Sequence, residues 1–419
     1  MSIFDYNPWW ETGKIEKEIS EKEKRELFHE LANNLEKEFI DIITGLRRTG
    51  KTTLMYQLID TLLQKGVNPK EIFYFSFDLE KEDIRKILSE YEEKVLRDRI
   101  KNRRVYLFLD EIHKLNDWTN QVKTIYDLNP RAKLVLSGSA SLNLMKESRE
   151  SLAGRAKFYY MSPLSFKEFL TLKKERIPSK EEFPVHENRI RILLNEFLLR
   201  GFPQTIEMND KDAKNYVKEL IVDRIIYRDI PETFRIEDTE ILRLLTEYIC
   251  QNPGAIINID SLSRDFGRNK KTVRNALIYL ELSFLIKSLK NVRGSFLAAS
   301  RKNKKAYPIH TSMVSTQEED KIIETLVGNE INAQFYWRKN SKEVDFVLKN
   351  QKILPIEVKN TDAIEKKDLK GLIGFCEMHN IKEGVVVSRT VEKAHLVDNL
   401  KVNILPLPKF ILFGFQKSK

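Results

Sequence analysis

The chain has 419 residues, of which 41% are hydrophobic and 32% are charged. A chain of this length predicts two or three globular domains, because a single hydrophobic core rarely grows to that size. Lysine and arginine exceed aspartate and glutamate by 72 to 62, which gives a net charge of +10. That excess permits a polyanionic partner such as nucleic acid, but a solvated charged surface explains it as well.

Several absences in the sequence exclude whole classes of protein. Cys250 and Cys376 are the two cysteines of the chain, and two isolated thiols build neither a disulfide framework nor a thiolate metal site. No uncharged stretch approaches the roughly 20 residues that cross a bilayer, and the first residues contain no apolar run typical of a signal peptide. The histidines show no pair at zinc-ligand spacing. We therefore expect a cytoplasmic protein without a membrane partner.

The first part of the chain predicts an extension followed by an α/β core. Residues 1–36 are polar, and Ser20 and Glu23 have the spacing of a capping box for a helix that runs to about residue 35. Residues 37–163 alternate apolar runs of strand length with helical runs. Strands are predicted at 39–43, 72–77, 105–109 and 133–136, and helices at 52–65 and 83–101. Continuous apolar strands separated by helices predict a parallel sheet covered on both faces.

The rest of the chain changes character twice. Residues 164–248 predict helices throughout. Residues 249–315 predict a winged-helix-like domain, with a helix-turn-helix that turns at Gly267 and a basic wing that runs to Lys305. Residues 316–419 predict a small separate α/β domain, with helices at 321–334 and 366–378 and strands at 335–338, 344–348, 353–358 and 384–388.

The strongest motif lies between the first predicted strand and the next helix. Residues 45–52 read Gly-Leu-Arg-Arg-Thr-Gly-Lys-Thr, a complete match to G-x-x-x-x-G-K-[ST]. The glycines let backbone amides face a phosphate, Lys51 is expected to reach the β- and γ-phosphates, and Thr52 offers an oxygen to Mg²⁺. The motif therefore predicts a site for ATP and Mg²⁺. The residues expected to contact the nucleotide are Gly45, Leu46, Arg47, Arg48, Thr49, Gly50, Lys51, Thr52, Thr53 and Ser137.

A second part of this site follows the predicted strand at 105–109. Asp110 is expected to hold Mg²⁺ together with Thr52, and Glu111 is expected to polarise the attacking water as a general base. Ser137 or Ser139, at the end of the next predicted strand, is a candidate sensor of the γ-phosphate. An ordinary turn at these two serines is the alternative.

These residues make the chain resemble the archaeal ATPase family of AAA+-type proteins, which carries a C-terminal domain of unknown function. The resemblance covers nearly the whole length and includes the segments at 7–11, 45–53, 109–111, 137–139, 152–155, 163–166, 201–203 and 228–230. It implies an ATPase module, a helical and winged-helix middle, and a restriction-endonuclease-like terminal fold. It also implies Arg155 as an arginine finger for the ATP of a neighbouring subunit, hence a homo-oligomer. Pairing of Arg155 with a surface carboxylate is the open alternative.

A second constellation lies near the C-terminus and comprises Glu324, Asp345, Glu357 and Lys359. Glu357 and Lys359 flank one residue of a predicted strand, so their side chains leave the same face. The set resembles the PD-(D/E)xK nuclease arrangement, in which carboxylates hold a divalent metal and a lysine positions water. It predicts the three carboxylates as metal ligands, and an ion pair on a sheet face is the alternative.

The predicted helix-turn-helix carries Arg268, Lys270, Lys271 and Arg274 around its second helix, which predicts contact with DNA phosphates. Protein docking or plain solvation is the alternative. We expect a Mg²⁺-dependent ATPase that works as a molecular switch on or with nucleic acid. The competing hypotheses are a metal-dependent DNA nuclease that ATP regulates, and a signalling or scaffold ATPase with an inactive nuclease-like domain.

Overall fold

The computed structural model describes residues 2–78, 82–139, 151–292, 304–349, 352–397 and 400–415. The chain divides into two compact units. The first ends at Pro163 and also takes in Leu282–Phe284, and the second contains Leu164–Glu281 and the residues from Leu285 onward. Within the described part of the chain, no helix combines the length and the apolar character that crossing a bilayer requires.

The first unit is built on a five-stranded parallel sheet in the order β2-β3-β4-β1-β5. Its strands are β1 (Ile40–Thr44), β2 (Ile72–Ser76), β3 (Tyr106–Asp110), β4 (Lys133–Gly138) and β5 (Ala156–Tyr160). Its helices are α1 (Trp9–Thr12), α2 (Lys17–Ser20), α3 (Glu26–Ala32), α4 (Lys51–Gln64), α5 (Ile84–Tyr91) and α6 (Trp118–Leu128). All residues of β1, β3 and β4 are buried. The predicted parallel α/β sheet is confirmed.

The residues before β1 complete the core of the first unit. Trp9, Leu31 and Leu35 are buried in the same hydrophobic cluster as the strands. The indole N–H groups of Trp9 and Trp10 both donate to the carbonyl oxygen of Ile72, at 3.1 and 2.8 Å. Strand β2 lies at the edge of the sheet, where backbone groups need partners from outside it. The two tryptophans therefore close this edge.

Two helix predictions for this unit were wrong in their bounds. No helix begins at Ser20, because α2 ends there and α3 begins at Glu26; the Ser20 hydroxyl donates instead to the carbonyl oxygen of Lys17, at 3.4 Å. Helix α5 ends at Tyr91 and continues only as a short π-helical segment, which stops where Arg97 adopts a left-handed backbone with φ 51°. Strand β5 was not predicted, because its residues are mostly half-buried or exposed and form no continuous buried run.

The second unit contains two five-stranded sheets, in the orders β10-β9-β7-β8-β6 and β11-β12-β13-β15-β14. The strands are β6 (Ala255–Ile256), β7 (Ile286–Asn291), β8 (Lys305–Pro308), β9 (Phe335–Lys339), β10 (Lys342–Val344), β11 (Phe346–Lys349), β12 (Ile353–Lys359), β13 (Glu383–Ser388), β14 (Lys393–Val397) and β15 (Leu400–Pro406). The helices are α7 (Phe166–Leu172), α8 (Phe183–Phe197), α9 (Asp210–Val217), α10 (Ile230–Phe234), α11 (Thr239–Gln251), α12 (Ile259–Asp265), α13 (Lys270–Leu282), α14 (Glu319–Glu330), α15 (Lys370–His379) and α16 (Leu407–Phe413). Strands β12, β13 and β15 run parallel, whereas β11 and β14 run antiparallel to their neighbours.

The predicted helix pair of the middle region is formed by α12 and α13. Gly267 lies between them with φ 61°, a conformation that favours glycine, and Leu262 and Leu280 are buried. The predicted wing falls partly on residues 293–303, which lie outside the described residues. Its flanking strands β7 and β8 pair antiparallel.

Candidate active site

The loop between β1 and α4 is held in a shape that requires glycine at its start. Gly45 has φ 150°, and a Cβ atom there would lie 2.2 Å from the carbonyl oxygen of Met161. Arg48 and Gly50 also have positive φ, at 62° and 101°. These conformations turn the chain so that it enters α4 at Lys51. The resulting bend at a helix N-terminus is the geometry that binds phosphate in proteins.

The lysine of the motif lies inside this loop. Its Nζ donates to the carbonyl oxygens of Gly45 and Leu46, at 3.1 and 2.9 Å, and the residue is buried. The loop is fixed from behind by Arg25, which is also buried and whose Nη1 donates to the carbonyl oxygen of Thr49 at 2.6 Å. The cation of Lys51 is therefore already held where the motif predicts a triphosphate.

The two predicted Mg²⁺ ligands are in direct contact. Thr52 Oγ1 donates to Oδ2 of Asp110 at 2.7 Å. Asp110 is buried, and its Oδ1 accepts a hydrogen bond from the Ser137 hydroxyl. Burial, and then the charge of Glu111, raises the pKa of Asp110 above its ordinary value. A hydroxyl and a carboxylate that meet beside a phosphate loop are the oxygen ligands that Mg²⁺ prefers, so the residues present fit this ion.

Glu111 follows Asp110 and adopts a left-handed backbone with φ 54°. Its carboxylate lies 3.3 Å from Nδ1 of His113 and accepts a hydrogen bond from Ser139 Oγ at 3.3 Å. Burial alone would raise the pKa of this carboxyl, but Lys51, His113 and Lys114 outweigh burial and lower it. An ionised carboxylate with fixed neighbours is suited to accept a proton from water.

Two residues that support the site were missed by the sequence analysis. The Tyr74 hydroxyl donates to Oδ2 of Asp110 at 2.9 Å. Tyr74 is in turn held by Asn7, which accepts from its backbone N–H at 2.7 Å and donates to its carbonyl oxygen at 2.9 Å. The Asn7 side chain thus supplies the hydrogen-bond partners that a neighbouring strand would supply at the edge of β2. The sequence contains the Asn-Pro-Trp-Trp segment, but no local signal connects it to Asp110.

Arg155 lies at the other end of the sheet from the phosphate loop. Its carbonyl oxygen accepts from the N–H of Ile40, where β1 begins, whereas the loop follows Thr44, where β1 ends. The guanidinium makes a two-point contact with Asp127, at 2.9 and 3.3 Å. The structure does not bring Arg155 to the ATP site of its own chain, so a role as arginine finger in a neighbouring subunit stays a prediction.

The four residues of the C-terminal constellation do converge. Nζ of Lys359 lies 2.8 Å from Oε1 of Glu357, and Oδ2 of Asp345 accepts from the N–H of Val358 at 2.9 Å. Glu324 and Asp345 both contact the ammonium group of Lys305. Burial, followed by the charge of Asp345, raises the pKa of Glu357 to about 8.

The sequence predicts that Lys305 ends a basic wing, whereas the structure buries it in this cluster. The residue is buried, and its Nζ lies 2.6 Å from Glu324, 2.8 Å from Glu343 and 3.3 Å from Asp345. Among the described residues, no group of three or more histidine, cysteine, aspartate or glutamate side chains is arranged to hold a metal ion. The predicted divalent ion at Glu324, Asp345 and Glu357 does not fit this arrangement, because an ammonium already lies between the carboxylates.

Of the four cations predicted around the second helix of the helix-turn-helix, two form ion pairs with acidic side chains and two are exposed. Arg268 pairs with Asp238 at 2.7 Å, and Lys270 pairs with Asp260 at 2.5 Å. Lys271 and Arg274 are exposed on α13. The cationic surface predicted to contact DNA is therefore partly neutralised within the chain.

One of the known protein families that this chain matches covers most of the first unit. Residues 37–170 match the family described as AAA domain. Together with the parallel sheet and the phosphate loop, this match defines the class of this part of the chain: residues 37–170 form a P-loop ATPase domain of the AAA+ type. Residues 191–320 and 319–410 match two domains of unknown function, DUF8612 and DUF4143.

The relatives found among curated proteins carry the description uncharacterized protein. One from Methanocaldococcus jannaschii is 27% identical over 352 residues, which cover 79% of this chain and 77% of the relative. One from Haemophilus influenzae is 27% identical over 250 residues, with coverage of 58% and 60%. A second protein of M. jannaschii is 30% identical over 302 residues, with coverage of 66% and 59%. The matches therefore span about three fifths of the length of these last two relatives.

Solved structures with a similar arrangement include the Orc1 protein of Aeropyrum pernix in complex with DNA, at 13% identity and a TM-score of 0.33, with coverage of 72% of this chain and 91% of that chain. The RuvB Holliday junction branch migration motor of Thermotoga maritima has 17% identity, a TM-score of 0.31, and coverage of 66% and 94%. AMPPCP-bound DnaA of Aquifex aeolicus has 16% identity, a TM-score of 0.26, and coverage of 61% and 86%. These TM-scores are too low for the similarity to indicate the function of this chain.

Proposed function

We propose that this protein is a Mg²⁺-dependent ATPase that hydrolyses ATP to ADP and phosphate and uses the reaction as a molecular switch. The observation that carries the proposal is the contact of Thr52 with Asp110 beside the loop that holds Lys51. When bound there, Mg²⁺ supplies positive charge beside the β- and γ-phosphates. Thr52 and Asp110 would hold the ion, and Lys51 with the loop amides would hold the phosphates.

The chemical step is assigned to Glu111. Its carboxylate accepts a proton from a water molecule, whose oxygen forms a bond to the γ-phosphorus while the bond from that phosphorus to the β–γ bridging oxygen breaks. Ser139 and His113 orient this carboxylate through their contacts with it. The Ser137 hydroxyl donates a hydrogen bond to Asp110. We therefore assign Ser137 to holding Asp110 in place, and through Asp110 it would sense the γ-phosphate.

We also propose that the second unit works on or with nucleic acid. Lys271 and Arg274 are exposed on α13, and the chain carries a net charge of +10. Reversing both charges to glutamate should weaken duplex binding and flatten its salt dependence, by about one unit of slope for each phosphate that the variant no longer neutralises. The matched control reverses Lys211 and Lys214, which are exposed on α9 and give the same change in net charge. Equal losses of affinity in both variants would reject a specific DNA surface.

One experiment separates the candidate functions. The ATPase rate is measured with and without single-stranded and duplex DNA, and the same DNA is examined for cleavage. Stimulation without cleavage supports the proposed switch on nucleic acid. Cleavage would favour an ATP-regulated nuclease, and indifference to DNA would favour a signalling or scaffold ATPase.

The scaffold ATPase is the second candidate that an observation favours. We propose that the sheet containing β12 and β13 is nuclease-like in fold, as the sequence resemblance implies, but inactive. The support is Lys305, whose ammonium lies between Glu324 and Asp345.

Both cysteines are buried and unpaired, which supports a cytoplasmic location.

A further inference from the structure

The C-terminal carboxylate cluster contains its own cation. Nζ of Lys305 makes three contacts with acidic side chains, at 2.6 Å to Oε1 of Glu324, 2.8 Å to Oε1 of Glu343 and 3.3 Å to Oδ1 of Asp345. The side chain of Lys305 is only 5% exposed. An ammonium group has three N–H donors, and Lys305 has three acidic partners within 3.3 Å.

Lys305 is fixed in this position from both sides. It lies in β8, between Ile256 of β6 and Leu289 of β7. Tyr307, two residues further along β8, presents its side chain on the same face and donates to Oε1 of Glu324 at 2.5 Å. The lysine therefore cannot leave the cluster without breaking a buried network that also contains this tyrosine.

Other carboxylate oxygens of the cluster also have partners. Oδ2 of Asp345 accepts from the N–H of Val358, and Oε1 of Glu357 pairs with Lys359. Among the described residues, Oε2 of Glu357 is buried without a hydrogen-bond partner, and such an orphan oxygen would be the argument for a missing metal ion. That oxygen belongs to a carboxylate that already has a cation beside it, because Nζ of Lys359 lies 2.8 Å from the other oxygen, Oε1.

The cluster already contains several cations. Its carboxylates are those of Glu324, Glu343, Asp345 and Glu357. The cations beside them are Lys305, Lys359 and Arg338, the last of which lies 3.6 Å from Glu343. A divalent ion would meet the positive charge of Lys305 at the position where its ligands should converge.

We propose that Lys305 is the resident cation of this cluster and excludes divalent metal ions from it, so that the domain does not cleave nucleic acid by metal-assisted hydrolysis. The inference concerns a site separate from that of the proposed ATPase, and it supplies the physical reason for the inactive nuclease-like sheet proposed above.

Binding of Mn²⁺, measured by titration without nucleotide, tests the proposal directly. Wild type and Asp345→Asn should bind the same number of Mn²⁺ ions, because the cluster takes up none in either protein. Lys305→Met should gain one ion, and Lys305→Met combined with Asp345→Asn should lose it again. Lys304→Met is the matched control, because Lys304 pairs with Glu281 instead, and it should gain none. Ions taken up at Thr52 and Asp110 are common to all variants and cancel.

The result that overturns the proposal is a Mn²⁺ ion in the wild type that Asp345→Asn removes, or Mn²⁺-dependent cleavage of DNA that Asp345→Asn abolishes. A folded Lys305→Met protein that gains no ion would also overturn it, since Lys305 would then not be the excluding group. Circular dichroism establishes whether that variant folds. If it does not, the comparison of wild type with Asp345→Asn decides the matter alone.

Discussion

The hydroxyl of Thr52 donates a 2.7 Å hydrogen bond to Oδ2 of Asp110, across 58 positions of sequence. The threonine lies in the first turn of α4 and the aspartate ends β3, so the contact joins the phosphate loop to the carboxyl edge of the sheet. A ligand pair for Mg²⁺ needs both groups at one point beside the phosphates.

Replacing Glu111 by glutamine should leave ATP bound but stop its hydrolysis. Glutamine keeps the size of the side chain but cannot accept the proton from water, so the rate should fall by about 10²–10⁴-fold. Phosphate release measures the rate, and retention of labelled ATP on a filter measures binding. Loss of binding to the same degree as hydrolysis would mean that Glu111 holds the nucleotide rather than the water.

Tyr74→Phe should raise the Mg²⁺ concentration needed for half-maximal ATPase activity, because Asp110 loses one of its hydrogen-bond donors. A hydrogen bond of about 1 kcal/mol corresponds to a shift of roughly fivefold. Tyr91→Phe is the control, since the Tyr91 hydroxyl is bonded to the carbonyl oxygen of Lys70 instead. Equal shifts in the two variants would point to a general loss of stability.

Arg155→Ala and Asp127→Ala together decide what Arg155 does. If Arg155 acts on the ATP of a neighbouring subunit, its removal should slow hydrolysis about 10³-fold or more, while loss of Asp127 leaves the finger in place. If their contact is only a surface pair, both variants should behave alike and lose no more than about 1 kcal/mol of stability. ATPase rates at several protein concentrations, with unfolding curves, distinguish the two.

Glu357→Gln should change how stability depends on pH. Burial, followed by Asp345, raises the pKa of Glu357 from 4.5 to about 8, so the folded protein holds this proton more tightly than the unfolded chain does. The contribution of the Glu357 carboxyl to the free energy of unfolding is therefore complete below about pH 4.5, and it is lost as the pH rises through about 8. Denaturant unfolding across this range should show a smaller loss in Glu357→Gln, which resembles the protonated acid. Parallel pH curves would contradict the assignment.

Much of the ATPase site is predictable because its parts are local. Gly45, Gly50, Lys51 and Thr52 stand in one motif, and the continuous apolar run before Asp110 predicts a buried parallel strand. Parallel strands end at the same edge of a sheet, so the meeting of the two halves follows from the pattern.

The residues that escaped prediction are those whose partners depend on tertiary pairing. Asn7 reaches Tyr74 across 67 positions to close the edge of β2. Lys305 sits in a basic stretch, which predicts a place in the wing, but its strand is paired on both sides and turns it inward. No local signal in either segment indicates which carboxylate or backbone group lies opposite.

The most direct test of the account is binding of fluorescent ATP, in the presence of Mg²⁺, to wild type and to Lys51→Ala. The wild type should bind the nucleotide, and Lys51→Ala should bind it at least about tenfold more weakly and show no measurable hydrolysis, because the ammonium inside the loop is removed. The exposed variant Lys214→Ala should behave as wild type. Hydrolysis by Lys51→Ala at the parental rate would contradict the assigned site.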